Sequence, residues 1–127
     1  NNMKIQYVEN KNGKLFSFSR YDFKDNTDDE DNYIMIDGGF DYNHYSGVLH
    51  SDTLENLIKD IREQFTWFQR LDKDNNRIQP KTWILKDMKT DHIEGIIEYL
   101  ASSTHEINMD VYAILKEELK YRKTCKK

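Results

Sequence analysis

Asp37, Asp41 and His44 are the residues of this chain that come nearest to a catalytic spacing. They lie in the run Asp37-Gly38-Gly39-Phe40-Asp41-Tyr42-Asn43-His44-Tyr45, where paired glycines permit positive φ and aromatics alternate with polar groups. Two carboxylates and an imidazole at this spacing are the raw material of a metal-dependent hydrolase or nuclease. A metal site needs several ligands converging on one point, whereas His44, His50, His92 and His105 are scattered, so no metal or cofactor is expected. Two acidic stretches imitate a calcium loop and fail its rules. Glu30 and Arg77 stand where the glycine belongs, and Ile36 and Trp83 where the glutamate belongs. The glycine pair lacks the Lys and Ser/Thr of a phosphate-binding loop and opens no helix. Cys125, the only cysteine, has no base to activate it and no disulfide partner.

The same residues read better as a binding surface. Residues 22–41 hold seven Asp and one Glu against one Lys, and self-repulsion should keep a loop from Tyr21 to Asp31 extended and mobile. The candidate binding residues are Asp28, Asp29 and Asp31 of that loop, then Asp37, Gly38, Gly39, Phe40, Asp41, Tyr42, His44 and Tyr45. At the other end, residues 116–127 carry six Lys/Arg against two Glu. Lys120, Arg122, Lys123, Lys126 and Lys127 could meet phosphates, but a net charge of −4 disfavours nucleic acid.

Lys4 to Glu9 alternates as a strand, with Ile5 and Tyr7 on one face. Asn12-Gly13 is a hairpin turn into a return strand, Lys14 to Arg20. Tyr33 to Ile36 is an apolar run of strand formers. Ser51 caps a helix ending near Phe65, with Leu54, Leu57, Ile58, Ile61, Phe65 and Phe68 as one apolar stripe. Thr66 to Gln69 suits a strand. Pro80 forbids a central strand, and Trp83 to Lys86 resumes as a short one, with Trp83 expected in the core. Thr90 caps a helix to Ser102, with Ile93, Ile96, Ile97 and Leu100 inward. A third helix runs from Asn108 to Arg122 with Met109, Tyr112, Leu115 and Leu119 as its stripe.

The fold class is therefore α+β: a small antiparallel sheet from residues 4 to 37, with Trp83 to Lys86 possible as a further strand, packed against about three helices. With 127 residues, 37% of them hydrophobic and 33% charged, residues 3–123 are expected to form one domain, and 124–127 a frayed basic tail. Met3 reads as the natural start. No apolar run approaches the length of a membrane span, no signal-peptide pattern is present, and the lone cysteine suits a reducing cytosol.

Two motifs occur together. One is SRYDF at Ser19 to Phe23 followed by DNYIMIDGGFDY at Asp31 to Tyr42. The other is WILKDMKTDHIEGIIEYL at Trp83 to Leu100, with EELKYR at Glu117 to Arg122 closing the pattern. Together they resemble a family of small proteins of tailed bacteriophages and prophages, over most of residues 15 to 122. The resemblance implies expression in the cytoplasm of an infected bacterial host. It implies no enzyme activity, so no catalytic residue carries over. What it favours is a phage accessory protein that binds a host or phage protein.

Overall fold

In a computed structural model, which describes residues 3–40, 43–72, 74, 76–102 and 109–125, the chain forms three helices and three small antiparallel sheets, an α+β fold. It divides into two compact units, Asn1–Leu57 and Ile58–Lys127.

In the first unit, β1 (Lys4–Asn10) turns through Lys11 and Asn12 into β2 (Gly13–Leu15), with Asn10 opposite Gly13. The return strand is much shorter than its alternation suggests. It ends at Leu15 because Phe16 drops into the core, fully buried, where its ring packs against Tyr7 and stacks on Phe18. The acidic segment expected as a mobile loop instead contains β3 (Lys24–Thr27), paired with β4 (Tyr33–Asp37). Lys24, Asp25 and Asn26 are poor strand formers, and the pairing with an apolar neighbour makes them extended.

Two further strands, β5 (His44–Ser46) and β6 (Leu49–Thr53), occupy what reads in sequence as loop. β5 completes a sheet of order β3-β4-β5, and β6 pairs with β1 to give β2-β1-β6. The expected single sheet is thus two, with β1 lying against β4 and Val8, Ile34 and Ile36 forming the buried cluster between them. Val8 is buried beside Ile5 and Tyr7, so β1 has apolar contacts on both faces.

The helix α1 (Leu54–Ile61) spans the boundary between the units. Ser51 lies in β6, not at its cap. Thr53 caps it, its Oγ1 accepting from Asn56 N at 3.3 Å, while Asp52 Oδ1 accepts from Asn56 Nδ2 at 2.9 Å. Leu54, Leu57, Ile58, Ile61 and Phe65 are buried at the expected spacing, whereas Phe68, expected on the same stripe, lies beyond the helix and is exposed.

In the second unit, β7 (Thr66–Leu71) and β8 (Arg77–Ile84) form a two-stranded ribbon. Pro80 sits inside β8, which a ribbon tolerates because both of its strands are edges. A single 3-10 turn, Leu85–Asp87, replaces the end of the expected strand and buries Leu85. Trp83 pairs with Trp67 in the ribbon, not with the first sheets, and is only half-buried. Then come α2 (Thr90–Ser102) and α3 (Met109–Cys125). The core here is Ile58, Ile61, Phe65, Leu85, Met88, Ile93, Ile96, Ile114 and Leu115. Met109, expected inward, is exposed, whereas Glu117 and Glu118 are buried.

Candidate functional site

The glycine turn after β4 is structural. Gly39 has φ +83°, and a Cβ there would stand 3.1 Å from the carbonyl carbon of Ser19. Gly39 N donates to Ser17 Oγ at 2.9 Å, and Ser17 Oγ donates in turn to Asp22 O at 2.7 Å. Phe40 meets Phe18 edge-on, with ring centroids 5.6 Å apart. Lys24 closes the cluster from the other side. Its Nζ donates to Phe16 O at 2.6 Å and to Asp22 Oδ2 at 3.1 Å, above the Phe18 ring. Burial lowers its pKa, and the Asp22 carboxylate offsets part of that. Ser17, Phe18 and Ser19 thus hold Gly39 and Phe40 in place.

Asp28 is buried, contrary to its place in a solvated loop. Its Oδ1 accepts from Glu30 N at 3.0 Å and Asn32 N at 2.9 Å, and its Oδ2 from Lys11 N at 3.1 Å. The Asn32 amide, first, holds this carboxyl below the usual aspartate range, with the Lys11 and Glu30 amides adding to it. Asn10 Nδ2 reaches Asn26 Oδ1 at 2.6 Å and Asn32 O at 2.9 Å, so the β1–β2 and β3–β4 turns are locked together. The acidic segment is also less bare than its sequence implies. Lys11 pairs with Glu30 at 2.7 Å and Lys24 with Asp22. Asp31 takes the left-handed conformation that ends the turn, at φ 62°.

Of the sequence candidates, Asp29, Asp31, His44 and Tyr45 remain exposed, Asp37 and Gly38 are half-buried, and Asp41 and Tyr42 lie outside the described residues. The register brings some of them together on the outer face of β3-β4-β5. There Asp37 stands opposite His44, Asp25 and Ser46 flank Met35, and Thr27 stands opposite Tyr33. Tyr33, 48% exposed, donates from its hydroxyl to Asp25 Oδ2 at 3.1 Å. Desolvation, then Asp25, raises its pKa. The exposed Phe23 immediately precedes β3. This face has an apolar middle, Tyr33 and Met35, between Asp25 and Asp37. Asp25 reads in sequence as part of an exposed acidic loop, whereas Tyr33 and Met35 do not read as surface residues, because the run Tyr33 to Ile36 looks uniformly buried and only the structure shows that its burial alternates.

Asp37 and His44 are cross-strand partners, but among the described residues no three His, Cys, Asp or Glu side chains converge as a metal-ligand set. His50 stacks on Tyr7 at 5.3 Å, and His92 meets Trp83 edge-on at 5.4 Å. Among the described residues no helix is long and apolar enough to cross a membrane.

No protein-family model, curated protein or solved structure matches this chain.

The second unit holds a charged cluster that the sequence did not announce. Glu118 is fully buried and receives two arginines. Arg62 Nε donates to Oε1 at 2.9 Å and its Nη2 to Oε2 at 3.0 Å, while Arg122 Nε donates to Oε2 at 2.6 Å. The hydrogen bond it donates to Glu118 raises the Arg62 pKa, and the guanidinium lies over the Tyr121 ring. Arg122 also reaches Thr90 Oγ1 at 3.0 Å and Leu85 O at 3.1 Å. It therefore joins the two motif stretches, Trp83 to Leu100 and Glu117 to Arg122, and is committed internally instead of offered to phosphates. Beside α2, a groove of about 920 Å³ runs along β7.

Proposed function

We propose that this protein is a non-enzymatic protein-binding module, an accessory protein of a phage-infected bacterial cytoplasm, and that it takes a basic partner on the outer face of β3-β4-β5. The observation supporting the reading is that face itself: exposed Tyr33 and half-buried Met35 between the carboxylates of Asp25 and Asp37, next to Asp29 and Asp31. Interfaces favour an aromatic and Met centre inside a polar rim, and a one-signed rim speeds encounter with an oppositely charged partner. Lys11 and Lys24 are already paired with Glu30 and Asp22. Among the described residues no cation pairs with Asp25, Asp29, Asp31 or Asp37, so their field is left for the partner. The resemblance to small phage proteins agrees with a binding role.

The test is affinity capture from an infected-host lysate with mass-spectrometric identification, run in parallel with Met35→Arg. The reading expects a basic protein captured by the wild type and lost in the variant. Capture that is the same for both, or confined to acidic proteins, rejects it.

A further inference from the structure

A groove against the face of a strand is lined by every second residue, because side chains alternate. The groove in the second unit is lined by consecutive residues, Trp67 to Asp72, and by one side of α2, so it runs along an edge of the ribbon. Leu85 N donates to Phe65 O at the root of the ribbon. By the antiparallel alternation, Trp67 and Gln69 bond to β8, while Thr66 and Phe68 turn their N–H and C=O groups to the outer edge. Among the described residues no strand covers that edge.

The two edges of the ribbon differ. Between Arg77 and Lys81, β8 carries Ile78, Gln79 and Pro80 against Arg70 alone on β7, a bulge with a proline in it, followed by a lysine. Those are the devices that stop an edge from pairing with another chain. Thr66 to Gln69 has none of them and exposes Phe68 by 52%. A two-stranded sheet is also marginal by itself.

We infer that the outer edge of β7 pairs antiparallel with β7 of a second copy of this chain, giving a four-stranded sheet of order β8-β7-β7-β8. This rests on observations separate from the β3-β4-β5 face. Charge selects the occupant. The stretch Thr66 to Ile84 has Arg70, Lys73, Arg77 and Lys81 against Asp72 and Asp74, and is net basic. α2 carries Asp91, Glu94 and Glu98 and no Lys or Arg. A second basic ribbon entering along the groove therefore approaches an acidic helix. Pairing centred on Phe68 sets Arg70 against Thr66 of the second copy and keeps the two arginines apart. It also turns Trp67 of the second copy into the groove. Gly95 leaves room on the helix side, since a Cβ there would meet nothing within 4 Å.

Sedimentation velocity over a concentration series tests this. The wild type should be a dimer at about 100 μM. Phe68→Lys, which sets two cations face to face across the two-fold, should weaken it about tenfold or more. Gly95→Gln, which fills the groove, should weaken it likewise. Circular dichroism identifies which variants fold: Phe68→Lys decides when it is folded, and Gly95→Gln decides when it is not. A wild type that stays monomeric, or a dimer that the deciding variant leaves unchanged, overturns the inference.

Discussion

Glu118 illustrates what a single residue contributes here. A carboxylate with no exposure is tolerable only because Arg62 and Arg122 supply opposite charge and aligned donors. Glu118→Ala would leave two cations facing each other without a counter-charge, and urea unfolding should register a loss of about 3–5 kcal/mol. Replacing Glu118, Arg62 and Arg122 together by apolar residues should recover much of it, because the desolvation cost goes with the charges. Asp28 is the corresponding residue of the first unit, where it serves three backbone amides. Asp28→Ala should lower the melting temperature clearly, whereas Asp29→Asn, at an exposed site, should leave it unchanged. The Asp28 pKa is depressed in the folded state. Its contribution is therefore complete above the unfolded value, about 3.9, and is lost as pH falls through the folded value. Acid melting curves below about pH 4 should be less steep in Asp28→Ala than in the wild type.

At the scale of elements, the glycine turn and the ribbon with its helix make separate demands. Gly39 needs φ +83° and lacks room for a Cβ against the backbone of Ser19. Gly39→Ala should cost about 1–3 kcal/mol, read from the denaturation midpoint. His92, on α2, is half-buried against Trp83 of the ribbon. Burial lowers its pKa and the neighbouring Asp91 offsets part of that. The folded value lies below the unfolded one, about 6.5, so the neutral imidazole contributes fully above that pH. The contribution fades as acid forces a charge into the site. Between about pH 7 and about pH 5 the wild type should lose more melting temperature than His92→Phe, which keeps a ring against Trp83 and does not titrate. Trp83 itself, half-exposed and bonded through Nε1 to Gln69 Oε1 at 2.9 Å, should tolerate truncation better than a core tryptophan does.

Over the whole molecule charge is uneven, acidic in residues 22–41 and basic in residues 116–127. Steering by exposed carboxylates is screened by salt, so it belongs in the association rate. Substituting Asn for Asp29, Asp31 and Asp37 should slow association with a captured basic partner and flatten its salt dependence, while dissociation changes less. Stopped-flow or surface-binding rates at two ionic strengths measure this. Equal slopes for both proteins would return these residues to a purely solvating role. Asp28 is kept intact in that variant because its loss would undo the turn that positions the others.

The α+β class, the helix beginning at Thr90, the buried stripe from Leu54 to Phe65 and the hairpin near Gly13 were legible in the sequence, because each rests on local periodicity or turn chemistry. Local pattern has no access to pairing. Lys24–Thr27 and His44–Ser46 are strands only because β4 lies between them, and Phe16 leaves its strand only because a core site beside Tyr7 receives it. The same holds for charge. Asp28 and Asp29 are neighbours of identical chemistry, yet one is buried among amides and the other is exposed. Glu118 reads as a surface glutamate until Arg62, distant in sequence, is brought beside it. Sequence determined which residues could be strand, helix or acid. Tertiary structure decided which carboxylates are consumed in holding turns and helices together and which are left on a surface, because that depends on the donors that the fold places within hydrogen-bonding distance.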